Sequence, residues 1–145
     1  MKKTHLFVVA MLASVTVINA QKVAEADVPA AVKTEFKSLY AGVKEVKWEK
    51  EKSNYEANFH NGKTEMSVTI DGSGKLIETE TTIASSSLPK SATDYITKNL
   101  AGKKIKEASQ IKDASGKITF EAEVDGVDYT FDDKGNFVKK EADND

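Results

Sequence analysis

Residues 27–42 read Asp27-Val28-Pro29-Ala30-Ala31-Val32-Lys33-Thr34-Glu35-Phe36-Lys37-Ser38-Leu39-Tyr40-Ala41-Gly42. Sixty residues on, the chain reads Ser87-Leu88-Pro89-Lys90-Ser91-Ala92-Thr93-Asp94-Tyr95-Ile96-Thr97-Lys98-Asn99-Leu100-Ala101-Gly102. The only two prolines of the chain occupy matching places in these stretches. Val28, Val32, Phe36 and Leu39 recur at helical spacing in the first, and Leu88, Ala92, Ile96 and Leu100 in the second. Asp27 and Ser87 stand where N-caps belong, proline suits a first helical turn, and glycine suits the end. Two copies of one unit are therefore expected, each opening on a helix.

After each helix the apolar residues alternate at period two. In the first copy Val46 and Trp48, then Tyr55, Ala57 and Phe59, then Met66, Val68 and Ile70 alternate with polar residues. In the second, Ile118, Phe120, Ala122 and Val124 do the same, as do Val127, Tyr129 and Phe131. This is the pattern of antiparallel strands with one face buried and one wet. Asn61-Gly62 and Asp125-Gly126 are two-residue hairpin signals, because a type I′ turn needs positive φ at both positions. Asp71 to Gly74, Asp113 to Gly116 and Asp132 to Gly135 share a D-x-x-G form suited to a type I turn closed by glycine. None has the successive acidic positions and closing glutamate of a calcium loop. The expected fold is α+β: two tandem α-β4 repeats, with one helix per repeat packed on one face of an antiparallel sheet, shared or separate.

The rest of the chain frames these repeats. Residues 1–20 carry Lys2 and Lys3, an apolar run from Leu6 to Ile18, and Ala20 before Gln21, the plan of an export signal. Ala24-Glu25-Ala26 offers a second cleavage point. The run is too short and too polar at Ser14, Thr16 and Asn19 for a spanning helix. The first repeat is then assigned to 27–80, a linker with Ser85-Ser86-Ser87 to 81–87, the second repeat to 88–141, and an acidic tail to 142–145. Cleavage after Ala20 leaves 19 lysines against 23 carboxylates, a charge of 19 − 23 = −4, and a single histidine, His60.

Composition excludes much chemistry. All 21 basic residues are lysine, and there is no cysteine. Neither a basic nucleic-acid surface nor a guanidinium clamp is present, and thiolate metal sites and thiol nucleophiles are absent. One histidine with scattered serines gives no nucleophile oriented by a base, so no enzyme and no cofactor are expected. A metal role for His60 lacks a second histidine or cysteine.

At these motifs the chain resembles the beta-lactamase-inhibitor-like, PepSY-like proteins of Gram-negative periplasms. The resemblance runs from about Val28 to Glu141. It rests on Val46-Lys47-Trp48-Glu49, Tyr55-Glu56-Ala57 and Asp71 to Leu76 in the first copy. In the second it rests on Phe120-Glu121-Ala122 and Asp132 to Phe137. It implies α-β4 repeats whose sheets combine into a concave surface, in domains that bind or restrain enzymes such as beta-lactamases or peptidases. The inhibitor that lends the family its name presents an acidic residue on a hairpin of its first repeat and has disulfides. Here that hairpin is His60-Asn61-Gly62-Lys63 and there is no cysteine, so protein binding carries over and beta-lactamase inhibition does not.

Two binding surfaces are expected from the residues. The first is the longer hairpin of the first copy, with Phe59, His60, Asn61 and Lys63. The second is the wet sheet face, with Glu56, Asn58 and Glu65 in the first copy and Glu121, Glu123 and Asp128 in the second. A two-residue Asp125-Gly126 turn sets Glu123 opposite Asp128, and opposed like charges destabilise a sheet. Full solvation is the simplest account, with lysine neutralisation or a cationic partner as the others. Trp48, Tyr55, Tyr129 and Phe131 are read as core, and Tyr40 and Tyr95 as packing at the helix margins. The chain is thus expected to be an exported, periplasmic, non-enzymatic binder of another periplasmic or secreted protein. No nucleic-acid contact and no membrane insertion of the mature chain are expected. The competing reading is a small-ligand or divalent-cation binder using Glu121, Glu123 and Asp128.

Overall fold

Both helical stripes fold as helices, but Leu39, placed in the first stripe, is 42% exposed at the end of its helix. A computed structural model describes residues 20–142. The export signal, except for Ala20, and residues 143–145 of the expected tail lie outside the described residues. Helix α1 spans Ala30–Leu39 and buries Val32 and Phe36; helix α2 spans Lys90–Asn99 and buries Ala92 and Ile96. The caps differ from expectation. Pro29 and Pro89 are themselves the N-caps, with extended ψ of 144° and 141°, and no side chain caps either helix. Asp27 and Ser87 instead end short 3-10 turns, Glu25–Asp27 and Ser85–Ser87, that lead into the helices. Proline loses nothing there, since a helix leaves its first N–H groups unpaired.

The nine strands are β1 (Gln21–Val23), β2 (Val46–Glu51), β3 (Asn54–Asn61), β4 (Thr64–Asp71), β5 (Leu76–Thr82), β6 (Glu107–Asp113), β7 (Ile118–Glu123), β8 (Val127–Asp132) and β9 (Phe137–Ala142). They form one antiparallel sheet in sequential order, joined between the repeats by β5 and β6. The repeats therefore share a sheet, and β5 runs two residues into the segment assigned as linker. Strand β1 was not foreseen. It pairs Gln21 with Lys50 and Lys22 with Glu49, just as Thr81 pairs with Gln110 and Thr82 with Ser109 sixty residues later. The end of β5 thus does for the second repeat what β1 does for the first.

Register fixes the two faces, because residues paired across strands share a face. The row Trp48, Ala57, Val68, Thr79, Lys112, Ile118 lies on one side. Both helices pack on that side. Val32 and Phe36 join Trp48, Tyr55, Ala57, Phe59, Val68 and Ile70 in one core; Ala92 and Ile96 join Ala108, Ala122, Tyr129 and Phe131 in another. Phe36 meets Trp48 and Phe59 edge-on, with ring centroids 5.5 and 5.1 Å apart, a favoured aromatic geometry. Tyr40 packs at the margin of the first core and Tyr95 at that of the second.

The three D-x-x-G turns hold as predicted. In each, an aspartate Oδ1 accepts backbone N–H bonds from the residues two and four positions on. Gly74 and Gly135, at φ +91° and +83°, also press against the helix starts, where a Cβ would fall 2.9 Å from the Ala31 carbonyl and 2.7 Å from Pro89 Cβ.

Candidate functional site

No element among the described residues covers the opposite face of the sheet, yet it is not fully wet. Ser67, Ser109 and Thr130 lie on it and are only 9%, 3% and 7% exposed. The polar side chains of this face shield one another.

The register sets four carboxylates in a row across the second repeat: Glu107, Glu123, Asp128 and Glu141, each opposite the next. The Glu123–Asp128 opposition inferred from the Asp125-Gly126 turn is present. That turn has φ of +54° and +73°, with Val124 and Val127 bonded across it, as type I′ requires. Full solvation does not account for the row. Glu123 is 8% exposed, and the Lys106 ammonium sits 2.8 Å from both its oxygens. Lys139 pairs with Glu141 at 2.6 Å, and the Thr82 hydroxyl donates to Glu107 at 3.4 Å. The first repeat has a neutral counterpart, the row Lys47, Asn58, Ser67, Glu80.

Beside this row Glu121 is half-buried opposite Thr130, whose hydroxyl donates to it at 3.2 Å. Burial pushes the Glu121 carboxyl up to about 7, with the charges of Asp128 and Glu80 adding to the effect, while Thr130 and Lys139 oppose it. Glu78 is raised mainly by burial too. A hollow of about 130 Å³ opens among Glu80, Lys106, Glu107, Glu121, Glu123 and Asp128. Among the described residues, no three histidine or carboxylate side chains converge as a metal ion would require. The hollow can accept a cationic side chain and repels anions.

A second, wider cleft of about 620 Å³ lies between the exit of α1, Leu39 to Glu45, and the hairpin residues His60, Asn61 and Gly62. The hairpin turn is not the one predicted. Asn61 pairs with Thr64, so the loop is Gly62-Lys63 and only Gly62, at +67°, has positive φ. Ala57 to Ile70 spans 13 positions and Ala122 to Phe131 only 9, so this hairpin is the longer one. In the second repeat Lys103 forms an ion pair with Asp125 and ties the helix exit to the short hairpin. The first repeat has Val43 sixty residues before Lys103, and the cleft stays open.

A family profile described as "Putative beta-lactamase-inhibitor-like, PepSY-like" matches residues 15–78 and again residues 71–139. The chain belongs to this family. The two PepSY-like matches correspond to the two α-β4 repeats. Among solved structures, a BLIP-like protein from Bacteroides fragilis is 20% identical with a TM-score of 0.63, over 81% of this chain and 88% of that one. A protein from Bacteroides eggerthii described as "putative periplasmic" is 14% identical with a TM-score of 0.69, over 79% and 88%. At such identities the likeness is one of fold. No curated protein sequence matches the chain.

On this PepSY-like frame nine of the ten residues singled out from sequence fall into three groups that overlap at His60. Glu121, Glu123 and Asp128 line the hollow together. Glu56, Asn58, His60 and Glu65 lie on the same open face in the first repeat, with His60 opposite Glu65. His60 and Asn61 border the separate cleft, and Lys63 is at the hairpin loop. Phe59 is not a surface residue: it is 3% exposed in the first core, on the face opposite His60. Glu80, Lys106, Glu107 and Glu141 were missed. Strands β5, β6 and β9 have little apolar alternation, so their wet-face residues carried no sequence signal. Among the described residues no helix is long and apolar enough to cross a membrane.

Proposed function

We propose that the protein is an exported, non-enzymatic binding module of the periplasm whose open sheet face takes a basic surface of another periplasmic or secreted protein. The observation that carries this reading is the row Glu107, Glu123, Asp128 and Glu141. Like charges set directly opposite destabilise a sheet, and the burial of Glu123 adds to that penalty. Neighbours such as Lys106 and Lys139 offset part of it, and an incoming cationic segment adds to that compensation. The likeness of fold to a BLIP-like protein agrees with a role in protein recognition. Restraint of an envelope enzyme is the use that the family suggests, with the cleft at His60 and Asn61 as a second contact.

The test compares capture of partners from periplasmic extract by the wild-type protein and by a Glu121→Gln, Asp128→Asn variant, with cross-links mapped on the protein retained. A partner lost in the variant and cross-linked to the open face supports the reading. No enrichment over a charge-matched control, or cross-links confined to the helices, sinks it.

A further inference from the structure

The sheet ends on two unequal edges. Strand β1 has three residues, whereas β9 has six and every one is exposed. Phe137 and Val138, 38% and 55% exposed, stand next to each other on β9. Such an edge carries a row of backbone N–H and C=O groups able to pair with another strand. Among the described residues nothing pairs with the outer side of Phe137 to Glu141.

The chain itself shows what an edge of this shape accepts. Strand β5 is the counterpart of β9 in the first repeat. Both follow a D-x-x-G turn, and both have a bulge at matching positions, Thr69/Ile70 against β5 and Thr130/Phe131 against β9. A bulge often blunts an edge. Here it does not, because β5 pairs antiparallel with β6 through Glu78–Asp113, Thr79–Lys112 and Glu80–Ile111. The residues of β9 in those three places are Lys139, Lys140 and Glu141.

A second copy of the chain is a poor occupant. Two β9 strands pairing about a two-fold axis keep their faces matched only if the pairing centres on a residue. The centre of β9 is Lys139-Lys140, so a lysine would oppose its own copy in the middle of the ladder. A strand of different sequence, with carboxylates opposite both lysines, meets no such conflict.

We propose that β9 is a strand-addition site for an acidic extended segment of a partner protein, paired antiparallel to Phe137–Glu141 as β6 is to β5. This site is the outer backbone edge of β9; Lys139 and Glu141 also border the open sheet face, but the edge pairing stands whether or not that face binds a partner.

The probe is a synthetic peptide of residues 106–114 carrying Lys112→Glu, which in the β5–β6 register sets carboxylates opposite Lys139 and Lys140. Amide chemical shifts of the labelled protein are expected to move along β9 and β8 on titration. The unsubstituted peptide is expected to bind about fivefold more weakly, since its lysine opposes Lys140. Lys140→Glu in the protein should reverse that preference. The proposal is overturned if neither peptide binds, if the shifts fall on β6 and β7 and spare β9, or if position 112 has no influence. Sedimentation showing dimers joined through β9 would overturn it as well.

Discussion

Glu121 and the three turn aspartates pull the pH dependence of stability in opposite directions. The Glu121 carboxyl rises from 4.5 to about 7 on folding, chiefly through burial. Between those values the native protein binds a proton that the unfolded chain does not, so stability falls as pH rises from 4.5 to 7 and is flat above. Glu78 acts with the same sign. Asp71, Asp113 and Asp132 are lowered, first by side-chain hydrogen bonds from Ser73, Ser115 and Asn136. Their contribution is present above pH about 4 and is lost as pH falls through their folded values. Urea denaturation across pH should therefore show greatest stability between about pH 4 and 5. Glu121→Gln should raise stability at pH 8 by about 1–2 kcal/mol and flatten the slope between pH 5 and 7. An unchanged slope would mean that Glu121 stays ionised throughout. Gly135 tests backbone geometry. With φ at +83° and Pro89 Cβ 2.7 Å from any added Cβ, Gly135→Ala should lose at least about 2 kcal/mol. Gly116→Ala, at +88° with open space around it, should lose only about 1 kcal/mol.

Hairpins show at the scale of elements how much the sequence reveals and where it stops. Asp125-Gly126 was legible because its chemistry demands one turn type, and that turn then set Glu123 against Asp128. Asn61-Gly62 carries a similar signal, but the loop slides one residue to Gly62-Lys63, since Asn61 finds a pairing partner in Thr64. The helix stripes and the strands with apolar alternation were legible for the same reason: burial on one face leaves a period in the sequence. Strands β1, β5, β6 and β9 were not placed residue by residue, because their pairing comes from neighbours and not from their own pattern. The N-caps were misplaced because proline removes the N–H that a side-chain cap would satisfy at that position. Asp125 separates turn chemistry from charge. Asp125→Asn keeps a residue that tolerates positive φ and removes the ion pair with exposed Lys103, so stability should change by no more than about 0.5 kcal/mol. Asp125→Val forces a β-branched residue to φ +54° and should lose about 1–2 kcal/mol. Equal losses in chemical denaturation would show that the ion pair, not the turn, matters.

Across the whole molecule, one sheet of nine strands gives its two faces opposite duties. The helix face holds two cores separated by Thr79, Thr81, Gln110 and Lys112, so hydrophobic burial is complete within each repeat. The open face adds little apolar burial, chiefly at Ile111, and gathers carboxylates at the expense of stability. A fold selected for stability alone would not keep Glu107, Glu123, Asp128 and Glu141 in register, since the first repeat fills its equivalent row with Lys47, Asn58, Ser67 and Glu80. Glu107→Gln, Asp128→Asn and Glu141→Gln together should therefore stabilise the protein by about 1 kcal/mol in thermal or urea unfolding. Glu123 is left intact in that variant, because its carboxylate is nearly buried and already paired with Lys106. The same variant should bind a decalysine probe at least tenfold more weakly at low salt. Wild-type affinity should fall steeply as ionic strength rises from about 0.01 to 0.15 M, where the screening length shortens from about 30 to 8 Å. Gain of stability with loss of binding is the signature of a surface kept for recognition. A variant that is more stable and binds the probe as well as wild type would show that the row is a tolerated imperfection, and the open face would lose its claim to be the binding surface.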